Sequence, residues 1–168
     1  MIDLSHFENL PRPEWFYLQP PSRLHGAAHT ARVMVWAYLL TRDTPWTEAV
    51  LWAAACHDLR RMDDGRDLQH GQRAGMWVRE HLPQMVPLTS ETLDLVANAC
   101  AWHTALDHES IWDHPALWYL KDADGLDRVR ISDLNPEFLR FPESRSWISS
   151  AQRLFDLTDG SETAAPVW

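Results

Sequence analysis

Apolar residues in this chain recur at helical spacing. Val33, Trp36, Ala37 and Leu40 fall at i, i+3, i+4 and i+7, which predicts a helix over 26 to 42 with one face turned inward. A second helix is expected over 46 to 59, after Thr44-Pro45. Its stretch from Ala49 to Cys56 is apolar all round, the mark of an element with neighbours on every side. Asp67 is placed to cap a third helix over 68 to 82, with His70 in its first turn. Pro83 and Pro87 interrupt the pattern, and Thr89-Ser90-Glu91 opens a fourth helix that runs to Trp102-His103. His114-Pro115 opens a fifth over 115 to 130, and a last one is expected over 144 to 157. Ahead of all of these, Pro11, Pro13, Pro20 and Pro21 surround Trp15-Phe16-Tyr17, which reads as a short helix and an aromatic-packed brace or lid.

Composition narrows this to one all-α domain. In 168 residues, 45% are hydrophobic and only 6 are glycine, and no segment of repeat length recurs, so a bundle of about six to seven helices is favoured over a sandwich or solenoid. The expected plan is a core over 23 to 130, a flank over 1 to 22, helical packing over 131 to 158 and a fraying tail over 159 to 168. Fifteen basic against 24 acidic residues give a net charge of -9, which argues against broad contact with nucleic acid or an anionic membrane. A small phosphorylated partner remains compatible, because two divalent ions held by two carboxylates leave about +2 locally. No apolar run is long enough to span a bilayer. The opening Met1-Ile2-Asp3-Leu4-Ser5-His6 is unlike a signal peptide, so a cytoplasmic location is expected. Cys56 and Cys100 lie in apolar helical patterns and are expected as free buried thiols. The oligomeric state is left open.

Against that background the pair His57-Asp58, at the end of the greasiest helix, stands out. Burying two ionisable groups there costs several kcal/mol unless a charge compensates them, and a divalent cation does so with ligands of these types. Short connections make consecutive helices antiparallel. The N-termini of the first and third helices and the C-termini of the second and fourth then share one pole, which gathers His29, His57-Asp58, His70 and His103. Asp124 lies further into the fifth helix and reaches that pole only if the 104 to 114 segment lowers the helix. Six ligands exceed the needs of one tetrahedral zinc and suit two ions about 3.5 to 4 Å apart, with Asp58 as the natural bridge.

These residues resemble the H…HD…D signature of the HD-domain metal-dependent phosphohydrolases: His29, the pair His57-Asp58, and Asp124 within Lys121-Asp122-Ala123-Asp124-Gly125-Leu126-Asp127. His70-Gly71 and His103-Thr104 are similar to the extra histidines of dinuclear members, and the match covers about residues 25 to 130. The resemblance implies an HD-type helical bundle in which His29, His57, Asp58 and Asp124 hold one divalent transition metal. It implies His70 and His103 as ligands of a second ion that shares Asp58. Iron, manganese, zinc, cobalt and nickel all suit such donors.

One position departs from the pattern. Some mononuclear members that hydrolyse nucleotides place a glutamate three residues after the aspartate, and here Arg61 stands there. An arginine cannot take a proton at pH 7, so the attacking water must be activated at the metal, with Asp58 and Arg61 as the catalytic residues and Arg61 as a phosphate clamp. Asp64 or Asp67 is expected to orient the site from behind. His25, Arg32, Lys121 and Arg128 complete the expected substrate-binding set. His25-Gly26-Ala27-Ala28-His29 lacks the glutamate of a zincin motif. Trp102, beside His103, is placed to stack a nucleobase, and His6, His81, His108 and His114 read as ordinary polar residues. The expected reaction is hydrolysis of a phosphomonoester, a nucleotide or a pyrophosphate bond. Two alternatives stand beside it: a di-iron oxygenase of the same superfamily, and a non-catalytic metal-binding module.

Overall fold

The computed structural model describes residues 3–158. Seven α-helices and no strand occur among them: α1 (Ala27–Thr41), α2 (Thr47–Cys56), α3 (His70–His81), α4 (Ser90–Trp102), α5 (Pro115–Leu126), α6 (Pro142–Ser146) and α7 (Ile148–Thr158). Among the described residues no helix is long and apolar enough to cross a membrane. The expected all-α bundle is observed. α2 is its axis, packed against α1, α4 and α5 at once, and every residue from Ala49 to Cys56 is buried. A helix contacted on three sides has no face left for water, which is why its sequence carries no polar stripe.

The ends of the helices follow local chemistry. Thr89 caps α4 by accepting from the Thr92 amide at 3.1 Å, and His114 caps α5 by accepting from the Ala116 amide on its imidazole, also at 3.1 Å. Asp67 does not cap α3. Gln69 occupies that position without a side-chain bond, while the Asp67 carboxylate accepts from the Met62 amide at 2.9 Å and pairs with Arg73. α5 stops four residues earlier than its pattern suggested, continuing as a 3-10 turn over Asp127–Ile131 that ends at Ser132 in left-handed conformation. The single helix expected over 144 to 157 is two, broken at Trp147.

The N-terminal segment forms 3-10 turns at Leu4–Phe7 and Pro13–Trp15 in place of the expected short α-helix. It lies on the bundle as a brace. Phe7 packs on Trp52 with ring centres 4.7 Å apart, Trp15 meets Trp77, and the Tyr17 amide donates to the Leu59 carbonyl at 2.8 Å. The tail expected to fray, 159 to 168, lies outside the described residues.

The crossover between α4 and α5 decides where Asp124 goes. Twelve residues of α5 rise about 18 Å, a span the 103 to 114 segment can cover. The chain therefore returns to the far pole before α5 begins. His114, at the start of α5, packs edge-on against Trp46 at the start of α2, with ring centres 4.7 Å apart. α5 then runs alongside α2, and its last turn delivers Asp124 next to His57. The helix reaches the histidine pole by its direction, and the lowering expected of the 104 to 114 segment is not needed.

Candidate metal centre

Where α2 ends, His57 keeps one more helical bond, from its amide to the Ala53 carbonyl at 2.9 Å, and the chain then turns. That turn presents His57 and Asp58 to the space between the N-termini of α1 and α3 and the C-termini of α4 and α5. His29 comes from the first turn of α1, His70 from the first residue of α3, and His103 from the C-cap of α4. The pairing of α3 with α4 is close. A Cβ at Gly71 would lie 2.8 Å from the Cys100 carbonyl oxygen, and one at Gly75 would lie 2.6 Å from that of Ala97, so only glycine allows this approach. It is this approach that sets His70 against His103.

Asp58 divides the cluster. Its Oδ2 lies 3.5 Å from His29 Nε2, 3.8 Å from His57 Nε2 and 3.0 Å from His25 Nδ1. Its Oδ1 lies 2.9 Å from His70 Nε2, 3.7 Å from His103 Nε2 and 3.7 Å from Arg61 Nη1. Asp124 Oδ1 stands 3.5 Å from His29 Nε2. Among the described residues, three sets have ligand atoms within 4.8 Å of one another: His25, His29 and Asp58; His29, His57 and Asp124; His57, Asp58 and His103.

The tautomers follow from what stands behind each ring. His57 Nδ1 is 2.8 Å from the Ala54 carbonyl and His103 Nδ1 is 2.7 Å from that of Cys100. His70 Nδ1 meets the Asp67 carbonyl, so Asp67 supports the site through its main chain; Asp64 instead bonds Ser22. His29 Nδ1 lies 2.7 Å from Asp127 Oδ2. Each of these partners only accepts, so each Nδ1 carries the proton and each Nε2 presents a lone pair. Those lone pairs converge: His29 and His57 Nε2 are 3.2 Å apart, and His70 and His103 Nε2 are 3.0 Å apart. Bare nitrogen acceptors with carboxylates alongside repel one another, and a divalent cation among them turns repulsion into ligation. The donor set fits the expected metal.

The protonation states agree with ligation. Burial pushes the His57 imidazole down to about 4, against partial opposition from Asp58. Asp58 is held well below the usual carboxylate range; burial resists this, but the imidazoles of His57, His103, His25 and His29 gathered around it outweigh it. Asp124 is lowered to about 2 in the same way, by His29 and His57 against burial. His29 goes the other way. Burial and Arg130 would lower it, but Asp127 and Asp58 outweigh them.

The expected substrate cations divide. Arg61 is at the centre, its Nη1 3.3 Å from both nitrogens of the His70 ring and its Nη2 donating to the Gly65 carbonyl at 2.7 Å. His25 is also there, beside Asp58. Arg32 is not available to substrate. Its Nε and Nη2 donate to the two oxygens of Asp127 at 2.6 and 3.1 Å, and its Nη1 to Thr158 at 3.3 Å, because its place one turn after His29 sets it over the acidic end of α5. Lys121 is buried and donates to the Ala105 carbonyl at 2.6 Å and to Asp107 at 2.8 Å, so it ties down the crossover. Arg128 pairs with Asp133 on the surface. Two residues that the sequence reading passed over belong to the site. Asp127 supports His29, and Arg130 donates to the Leu24 carbonyl at 3.1 Å with its Nη2 3.2 Å from His25 Nδ1. The signal for Asp127 was its spacing, three residues after Asp124 and so on one helical face.

No family model matches the sequence, and no curated protein matches it. Among solved structures, the chain is similar to a crystal structure of a predicted HD superfamily hydrolase from an uncultured Thermotogales bacterium. The TM-score is 0.63 with 23% sequence identity, over 86% of this chain and 82% of that one. The two share a fold, which is the fold the resemblance implied.

Proposed function

We propose that this chain is a metal-dependent hydrolase of the HD type, acting on a small phosphorylated substrate at a phosphomonoester, nucleotide or pyrophosphate bond. One observation carries the reading: Asp58 turns one oxygen toward His29 and His57 and the other toward His70 and His103. That is how a carboxylate shared by two ions is disposed. The ions, when bound, polarise the phosphoryl group and bring the pKa of a coordinated water toward about 7.

The chain's own residues do the rest. His29, His57 and Asp124 with Asp58 Oδ2 would hold one ion, and His70 and His103 with Asp58 Oδ1 the other. The four main-chain and carboxylate partners on Nδ1 keep every ring turned with its lone pair inward. Arg61, fixed by the Asp63 and Gly65 carbonyls, holds a non-bridging phosphate oxygen and offsets charge that develops there. His25 lines the same space with Asp58 and Arg130. Lys121 and Arg128 have no part in it, and Arg32 acts only through Asp127.

The test is a panel of phosphomonoesters, nucleotides and pyrophosphate with wild-type protein and Asp58→Ala, each with manganese, iron, zinc, cobalt or nickel supplied. Turnover by the wild type, with bound metal and activity both lost in the variant, is the expected result. Wild-type protein that takes up none of these metals and turns over no substrate overturns the reading.

A further inference from the structure

We propose that Asp127 is a positioning residue that makes the two metal positions unequal, so that the His29 position fills first and holds its ion more tightly. This rests on the metal reading of the site and adds an order to it.

Three of the four inward-facing imidazoles have a main-chain carbonyl behind them: Ala54 for His57, Asp67 for His70 and Cys100 for His103. Only His29 has a carboxylate, Asp127 Oδ2 at 2.7 Å. A charged acceptor draws the Nδ1 proton more strongly than a neutral one, which leaves more electron density on Nε2 and makes it the better donor to a cation. Asp127 is 1% exposed and cannot turn away, because Arg32 grips both its oxygens at 2.6 and 3.1 Å, and Arg130 Nη1 donates to its main-chain carbonyl at 3.1 Å.

The surrounding charges point the same way. His29 Nε2 has two carboxylate oxygens at 3.5 Å, from Asp58 and Asp124. The His70 and His103 position has Asp58 Oδ1 alone, and that oxygen also faces the Arg61 guanidinium at 3.7 Å. Arg61 lies against the His70 ring itself. A cation entering there meets the Arg61 guanidinium against the ring and a single carboxylate oxygen; one entering beside His29 meets two carboxylates, with Arg130 set behind against His25 and Asp127.

The experiment is a titration of metal-stripped protein with Co2+, followed by calorimetry and visible absorption. Wild type is expected to bind in two steps, of which the tighter survives in His70→Ala. Asp127→Asn keeps the volume and an acceptor oxygen but removes the charge, and should weaken the tighter step about 10- to 100-fold while leaving the other unmoved. Arg32→Lys, which keeps the positive charge but loses the grip on both oxygens, should weaken the same step by less, and it decides the question if Asp127→Asn does not fold. Arg61→Gln should tighten the weaker step, a gain that a merely structural role would not produce. Two equal steps in wild type, or equal losses at both steps in Asp127→Asn, overturn the proposal. Wild-type protein that binds no Co2+ overturns instead the metal reading on which it rests.

Discussion

A guanidinium beside Asp58 cannot move a proton at neutral pH, but it can hold one end of a phosphate. Arg61→Ala should therefore lower kcat/KM on a phosphate ester by about 10- to 100-fold, the worth of a charged hydrogen bond of roughly 1.5 to 3 kcal/mol. Metal content measured on the same protein should not fall. The opposite outcome, lost metal with the remaining turnover per ion unchanged, would place Arg61 outside substrate recognition. Arg128→Ala is the companion measurement. Among the described residues its charged partner is Asp133 on the surface, so activity should be unchanged and stability should move by less than about 0.5 kcal/mol in denaturant unfolding. These two arginines look alike in the sequence, each a cation near a motif; what separates them is which carboxylate they face.

Two glycines on one face of α3 let that helix lie against α4 closely enough for His70 to meet His103. Gly75→Ala puts a methyl group against the Ala97 carbonyl and the Ala101 side chain, and should cost about 1 to 3 kcal/mol of stability by overpacking, read from the denaturant midpoint. Gly71→Ala meets the Cys100 and Ala101 carbonyls and His103 Nδ1 itself. Beyond a similar loss of stability it should reduce metal uptake at the His70 position and spare that at His29, which metal analysis of the two variants would distinguish. The crossover is held by Lys121, whose Nζ donates to both the Ala105 carbonyl and Asp107 Oδ1, the oxygen that Arg140 Nη2 also meets. An amino group placed there serves the path of the chain, and its proximity in sequence to Asp124 says nothing about substrate.

Across the molecule, the centre makes the metal-free protein sensitive to acid. His57 has an ordinary value of 6.5 and about 4 when folded, so between those values the unfolded chain binds a proton that the folded one refuses. Stability from this group is complete above about pH 6.5 and lost as pH falls toward 4, a change of about 3 kcal/mol. Asp58 and Asp124, whose folded values lie below the usual 3.8, add a further loss once pH drops under that value. His29, raised by Asp127 and Asp58, works in the other direction: its contribution is complete below about pH 6.5 and fades as pH rises past its higher folded value. Thermal melts should thus fall in two stages on acidification, and metal at neutral pH should raise the melting temperature, through about 2.7 kcal/mol of added stability at a hundredfold excess of free metal over Kd. A flat profile from pH 7 to 4 would mean that His57 is not shielded from water.

The fold class and the donor chemistry of the candidate site were legible in the sequence because both are local properties. Helical period follows from side chains three and four apart, and His57-Asp58 at the end of an apolar helix signals a buried charge whatever surrounds it. Even the common pole of His29, His57, His70 and His103 followed from short connections. The partners of the cations did not follow. Arg32, Lys121 and Arg128 sit one turn from site residues, but a long flexible side chain goes to whichever charge the packing brings within reach, and those charges come from elements that are distant in sequence or lie past the predicted helix end. Asp127 is the sharpest case: 98 residues from His29, it meets that ring only because α5 packs on α1 and the 3-10 turn that follows α5 begins over the histidine. Which residues are able to hold a metal is written in residue type and spacing; which group stands behind each of them is decided by contacts that exist only once the helices have docked.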